Sequence, residues 1–162
     1  MRKTTVYVLV ILTILLLAGT AGCAVNPGDT RVTVERVIDG DTFKIAGSSE
    51  KVRLIGVDTP ESVKPGEPPE PYGKEAAAFS KKLLAGKKVK LVYDMQERDK
   101  YGRLLAYVYL EDDTFVNALL VKEGYAQVLT VPPNVAHAEE FLQLEREARS
   151  AKRGLWGLEP GK

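Results

Sequence analysis

Three short polar islands carry the residue types that attack on a phosphodiester demands. They are Asp39-Gly40-Asp41-Thr42, Arg53 with Asp58-Thr59-Pro60-Glu61, and Asp99-Lys100-Tyr101-Gly102-Arg103. Carboxylate oxygens suit hard cations such as Ca²⁺ or Mg²⁺, guanidinium forks match phosphate oxygens, and a spare carboxylate can take a proton from water. Each island alone has a plainer reading. Asp-Gly is common hairpin chemistry, a strand end before proline marks a turn, and Asp-Lys-Tyr-Gly makes a solvated hairpin. Arg53 resists the plain reading most, because a permanent charge within the apolar run Val52 to Val57 needs a partner anion.

The elements that must position these islands follow from periodicity. Val32, Val34 and Val37, then Phe43 and Ile45, then Val52, Leu54 and Val57 predict three strands with turns at Asp39-Gly40 and Gly47-Ser48-Ser49. The alternation slips at Glu35-Arg36, which predicts a bulge. From Gly73 the spacing of Ala76, Phe79, Ser80, Leu83 and Leu84 is helical, with Gly86 as its stop. Strand patterning returns at Val89 to Tyr93 and at Leu104 to Leu110. Thr114 is placed to cap a helix through Val116, Leu119 and Leu120 that stops at Gly124, and a last helix aligns Phe141, Leu144 and Ala148. Five strands and about three helices within one domain length predict an α+β architecture, a small closed barrel such as the OB-fold rather than a sandwich. The segment Glu61 to Tyr72, with Pro65, Pro68, Pro69 and Pro71, reads as an exposed loop.

The chain's ends and charge bound its setting. Arg2 and Lys3, an apolar run from Val6 to Ala18 and the small residues Gly19 to Gly22 form a secretory signal over residues 1–22. Small residues followed by Cys23 resemble the bacterial lipoprotein box, which implies lipidation of Cys23; Asn, Pro, Gly and Asp between Ala24 and Thr30 read as a tether over residues 23–30, and a domain is expected over residues 31–158. The expected location is extracytoplasmic, as a membrane-anchored lipoprotein or a secreted protein. Cys23 is the single cysteine, so no intrachain disulfide can form. Removing the signal takes two of the 23 basic residues and none of the 22 acidic ones, leaving the mature chain close to neutral. A global basic field is therefore excluded as the source of any nucleic-acid affinity, and local placement must supply it.

In order along the chain, VIDGDTFKI, VRLIGVDTPE and DKYGRLLAYVY, with a helix between the second and third, resemble the thermonuclease (staphylococcal nuclease-like) family from about Val32 to Trp156. The resemblance implies an OB-fold barrel and Ca²⁺-dependent hydrolysis of DNA and RNA by a monomer. Residue by residue it implies Asp41 and Asp58 as side-chain Ca²⁺ ligands, with Thr59 as a backbone carbonyl ligand. Glu61 would be the general base or the residue orienting water, Arg53 and Arg103 the phosphate clamps, and Lys100 and Tyr101 contacts to a neighbouring terminal phosphate. The chain departs from the family pattern at Thr130 and Pro132, where two tyrosines are common, and base stacking contributes about 1–3 kcal/mol where it occurs. A catalytically silent OB-fold nucleic-acid-binding lipoprotein and a Ca²⁺-dependent envelope adaptor are the competing readings. His137 reads as a helix-end residue, Trp156 as an anchor of the C-terminal segment, and the Lys81-Lys82 and Lys87-Lys88-Lys90 groups as a solvated face.

Overall fold

Alternation of buried and exposed residues along five segments builds the scaffold. A computed structural model of the protein describes residues 29–62 and 66–158. The expected signal and the expected lipidation at Cys23 lie outside the described residues, and among the described residues no helix is long and apolar enough to cross a membrane. Strands β1 (Asp29–Asp39), β2 (Thr42–Ile45), β3 (Lys51–Leu54), β5 (Lys88–Val92) and β6 (Leu104–Leu110) close into a barrel in the order β1-β2-β3-β6-β5. Two short strands, β4 (Val57–Asp58) and β7 (Gln127–Val128), form a separate antiparallel ladder beside it. Strand β1 starts at Asp29, so pairing with β5 takes in the last two residues of the stretch read as tether.

One long strand serves two neighbours because it bends. The first part of β1, through Thr33, pairs with β5, and the part from Val34 onward pairs with β2. The ladder with β2 shifts register between Val34 and Arg36 and again between Val37 and Asp39, which is the bulge expected at Glu35-Arg36 and a second one beside the turn. Closure comes from the parallel pairing of β3 with β6, where Val52, Arg53 and Leu54 face Leu104, Leu105 and Ala106. Inside, Val34, Phe43, Val52, Leu54, Val89, Leu91, Ala106 and Val108 are buried. An eight-residue set of this kind fills the interior of a small barrel with side chains and leaves no channel.

Helices α1 (Gly73–Leu84), α2 (Val116–Lys122) and α3 (Ala138–Ser150) cover the barrel, and a 3-10 turn follows at Gly154–Gly157. Ala76, Ser80 and Leu84 bury one stripe of α1, as the spacing predicts, and the chain leaves it through Gly86 at φ 73°. Phe115, not Thr114, occupies the N-cap of α2; it gives no side-chain cap, and the Thr114 N–H instead donates to Asp112 Oδ1 at 3.0 Å. Short polar side chains in such loops compete between capping and local turns, and here the turn wins. His137 stands at the N-terminus of α3 with Nδ1 2.8 Å from Glu140 and its ring against Tyr107, Phe115 and Phe141. Trp156 lies under the Arg149 guanidinium at 3.6 Å from its ring centre.

Asn117 joins three layers. It is fully buried on α2, its Oδ1 accepts from the Val108 N–H at 2.9 Å, and its Nδ2 donates to the Ile55 carbonyl at 2.8 Å. The chain leaving β3 is thereby fixed against β6 and α2, which sets where the following residues Asp58 to Glu61 emerge.

Candidate active site

The three islands converge on one rim of the barrel. Asp41, Arg53, Asp58, Thr59, Glu61 and Arg103 line a single recess, together with Lys51 and Asp39. Asp41 sits in the turn from β1 to β2, Arg53 on β3, Asp58 at the end of β4, and Arg103 immediately before β6. Thr42 faces Arg53 across the β2–β3 ladder, and the Leu54 N–H donates to the Asp41 carbonyl at 2.9 Å, so the first two islands are joined by backbone pairing.

Arg53 is the hub of the recess. Its side chain is 12% exposed, and Nη1 lies 3.1 Å from Asp41 Oδ2 while Nη2 lies 2.8 Å from Asp58 Oδ1. Nη1 also donates to the Val57 and Leu54 carbonyls at 2.7 and 3.1 Å. The partner anion that a buried guanidinium needs is thus supplied twice. Among the described residues nothing accepts from Nε, which leaves that edge of the fork for an incoming anion.

Thr59 locks the carboxylates to the strand exit. Its N–H and Oγ1 both donate to Asp41 Oδ2, at 3.0 and 3.1 Å, while Thr42 Oγ1 donates to Asp41 Oδ1 at 2.9 Å. This close approach depends on Gly40, since a Cβ there would lie 2.6 Å from Thr59 Oγ1. Gly40 is held in turn by its carbonyl, which accepts from the buried Ser80 hydroxyl on α1. The loop before α1 and the helix's first residue fix the Glu61 backbone: the Glu70 N–H donates to the Glu61 carbonyl at 2.8 Å, the Glu61 N–H donates to Glu70 Oε2 at 3.0 Å, and a Cβ on Gly73 would meet the Glu61 carbonyl at 2.4 Å.

Two carboxylates around one guanidinium leave an excess negative charge. Burial pushes the Asp58 carboxyl above its usual range, the nearby Asp41 charge adds to this, and Arg53 opposes it. A bound cation would relieve that cost. Among the described residues no three histidine, cysteine, aspartate or glutamate side chains gather at one point. The oxygen donors that could hold a cation are those the resemblance implies, Asp41 and Asp58 beside Arg53, with the Thr59 carbonyl and water. Oxygen donors of this kind suit a hard divalent cation.

Arg103 is aimed by a residue that periodicity does not single out. Asp99 Oδ2 accepts from Arg103 Nε at 2.7 Å, while Oδ1 accepts from the Tyr101 and Arg103 N–H groups at 2.9 and 3.0 Å. Burial alone would raise the Asp99 carboxyl, but the Arg103 guanidinium and these N–H groups outweigh it and hold it below the usual range. With Nε spent on Asp99, the two Nη groups are what Arg103, which lines the recess, has left for a further acceptor.

Lys100 and Tyr101 do not enter the recess. They line an adjoining groove with Arg53, Arg103, Leu105 and Pro132. Tyr101 is 72% exposed, with the Lys100 ammonium 5.0 Å and the Arg103 guanidinium 5.6 Å from its ring centre. Leu129, Val131 and Pro132 supply the groove wall near the departure at Thr130 and Pro132. That wall is aliphatic where stacking tyrosines are common in the resembled family. Sequence patterning also passed over Gln127, whose side chain bonds Asp58 from the facing strand β7, and gave Asp39 of the first island no separate role, though it accepts from the Ser62 N–H at 3.2 Å. A two-residue strand has no period to detect, and Asp39 reads as turn chemistry. Asp99 alone left a signal, its i,i+4 spacing from Arg103.

Comparison with known proteins agrees with this geometry. A model described as staphylococcal nuclease homologue matches residues 51–157. The chain is 46% identical over 133 residues to the thermonuclease of Staphylococcus hyicus, covering 81% of this chain and 78% of that protein. It is 50% identical over 125 residues to the thermonuclease of Staphylococcus intermedius, covering 76% of this chain and 74% of that protein. Endonuclease YncB of Bacillus subtilis (strain 168) is 45% identical over 129 residues, covering 77% of this chain and 61% of that protein. The barrel, the recess and these matches lead to one conclusion: the chain belongs to the staphylococcal nuclease homologue family.

Proposed function

We propose that the chain is a Ca²⁺-dependent nuclease that hydrolyses phosphodiester bonds in DNA and RNA. Family membership supports the hydrolase and endonuclease class. The observation that carries the finer reading is the shared recess of Asp41, Arg53, Asp58, Thr59, Glu61 and Arg103. Ca²⁺ held by Asp41, Asp58 and the Thr59 carbonyl would supply positive charge against the phosphodiester there.

The chain's own groups do the remainder. Arg103 donates through its Nη groups to the non-bridging phosphate oxygens, and Arg53 adds the free edge of its fork. Both contacts strengthen as the phosphorus becomes five-coordinate and gains charge. Glu61 accepts a hydrogen bond from the attacking water and takes its proton as the new P–O bond forms. One bridging P–O bond breaks, and its oxygen leaves with a proton from solvent. No step uses a 2′-hydroxyl, which is why DNA and RNA are both substrates. Lys100 and Tyr101 meet a neighbouring terminal phosphate in the adjoining groove.

The decisive experiment is cleavage of single-stranded DNA by the purified chain with Ca²⁺ and with a chelator. Cleavage with Ca²⁺ alone is expected, and equal rates in both sink the metal assignment. Glu61→Gln is expected to lose about 10²–10⁴ in kcat, the usual contribution of a positioned base, and full activity would remove Glu61 from that role. The signal and Cys23 patterns support an extracytoplasmic lipoprotein anchored through Cys23. Cys23→Ser should move from the membrane fraction to the soluble one; retention in the membrane refutes the anchor.

A further inference from the structure

Lys51 has no role in the mechanism above, yet it lines the recess with Arg53 and Arg103. It is exposed at the start of β3, and among the described residues its ammonium has no hydrogen-bonding or ion-pair partner. The nearby acids are already engaged. Glu35 holds Lys44 at 2.9 Å, and Lys44 is the residue facing Lys51 across the β2–β3 ladder. Glu50 holds Arg98 at 2.8 Å.

The register makes the placement costly. Val52 faces Leu104 in the parallel β3–β6 pair, so Lys51 and Arg103, the residue just before β6, come next to each other and line the same recess. Like charges at facing positions destabilise a sheet; Asp99 pairs with Arg103 at 2.7 Å, but among the described residues no acid pairs with Lys51 to offset its share of the repulsion. An anion shared by the two would.

A second groove opens at this point, lined by Ser49, Glu50, Lys51, Tyr101, Gly102 and Arg103. Arg98 spans it, with Nη1 donating to Glu50 Oε2 at 2.8 Å and to the Gly102 carbonyl at 2.9 Å. That bridge ties the hairpin before β3 to the turn before β6 and neutralises the acid in the groove. Its Arg98 hydrogen bond holds the Glu50 carboxyl below the usual range, so it stays ionised and paired. With Glu50 paired to Arg98 and Arg103 paired to Asp99, the cation of the groove left without an ion-pair partner among the described residues is Lys51.

We propose that Lys51 and this groove bind the phosphate next to the scissile one, on the part of the nucleic-acid strand that does not enter the Tyr101–Pro132 groove. The inference rests on the nuclease reading above. Arg103 is common to the recess and both grooves, so a strand with its scissile phosphate at Arg103 can place its next phosphate at Lys51. Lys51 then favours internal phosphodiesters in a longer strand over the single phosphodiester of a dinucleotide.

The test measures kcat/KM with Ca²⁺ on a single-stranded dodecamer and on a dinucleotide, for the parent chain, Lys51→Gln and Lys51→Arg. Lys51→Gln should lower the dodecamer-to-dinucleotide ratio about fivefold, the scale of one exposed ion pair. On the dodecamer, the slope of log(kcat/KM) against log salt should flatten by about 0.7, one phosphate contact on a single strand. Lys51→Arg should keep both ratio and slope. An unchanged ratio and slope in Lys51→Gln overturns the proposal, as does an equal loss on both substrates, which would place Lys51 on the scissile phosphate. A parent chain that cuts neither substrate overturns the nuclease reading and this inference with it.

Discussion

Replacing Asp99 by Asn separates the aiming of Arg103 from the folding of its turn. The Asn Oδ1 can still accept from the Tyr101 and Arg103 N–H groups, as Asp99 Oδ1 does at 2.9 and 3.0 Å. The atom replacing Oδ2 becomes an NH₂ donor, set against the Arg103 Nε–H that now donates to Oδ2 at 2.7 Å. A hydrogen bond to a charged group contributes about 1.5–3 kcal/mol. At about 1.4 kcal/mol per factor of ten, full delivery of that positioning to the transition state makes the loss in kcat about 10- to 150-fold. KM should move less, because Lys100 and Tyr101 keep their places, and the thermal midpoint should fall by only a few degrees. The assay is kcat on a single-stranded oligonucleotide with Ca²⁺, read as a cycle with Arg103→Ala. Asp99→Asn should cost nothing further once Arg103 is gone. A single variant within twofold of the parent, or additive losses in the pair, would refute the claim that Asp99 acts through Arg103.

Two further outcomes concern the scaffold. Asn117→Ala strands the Val108 N–H and the Ile55 carbonyl in the interior, at about 1–3 kcal/mol each, so urea unfolding should show a loss of about 2–6 kcal/mol; a loss below about 1 kcal/mol refutes the bridging role. Asp94 accepts from the Met95 N–H at 2.8 Å, the Tyr107 hydroxyl at 3.0 Å and the Ala136 N–H at 3.2 Å; burial acts to raise its carboxyl, but these bonds prevail and hold it below its usual range. A depressed folded value means that the ionised form stabilises the fold above the unfolded value of about 3.9, and that this contribution fades as pH falls through the folded value. Asp94→Asn should therefore be less stable than the parent at pH 7 and converge on it below about pH 4; a pH-independent gap in urea midpoints contradicts the assignment.

What could be read from the residues alone tracks how local the governing physics is. The barrel strands and α1 announce themselves because burial on one face repeats every two or about 3.6 residues, and the structure places them within a few residues of the pattern. The bulge at Glu35-Arg36 was visible as a break in that repeat. The ladder of β4 with β7 was not, since it is two residues long on each side and joins positions 69 and 71 residues apart. The same division holds at the site. Asp41, Arg53, Asp58, Thr59, Glu61 and Arg103 are legible as motif residues, and the structure brings them into one recess. Residues that hold them, Ser80 on the Gly40 carbonyl and Gln127 on Asp58, act across folds of the chain and carry no local signature. Thr114 does not cap because the Asp112 carboxylate takes its hydroxyl as well as its N–H, a choice that spacing does not express.

The precision of the recess derives from the core beneath it more than from its own charges. Arg53 lies between Val52 and Leu54, which are 0% and 2% exposed inside the barrel. A slip of one residue in β3 would turn both outward and drive the guanidinium into the core. Exposing two such side chains costs about 3–6 kcal/mol, and burying an unpaired charge costs several more, against a typical total stability of about 5–15 kcal/mol. The register that aligns Thr42 with Arg53 and Leu105 with Arg53 is therefore over-determined by apolar burial. That leaves the fold free to carry the opposite strain at the rim, where Asp41 and Asp58 crowd one guanidinium and burial raises the Asp58 carboxyl. A site whose charges had to hold its own strands together could not also keep an excess negative charge poised for a cation.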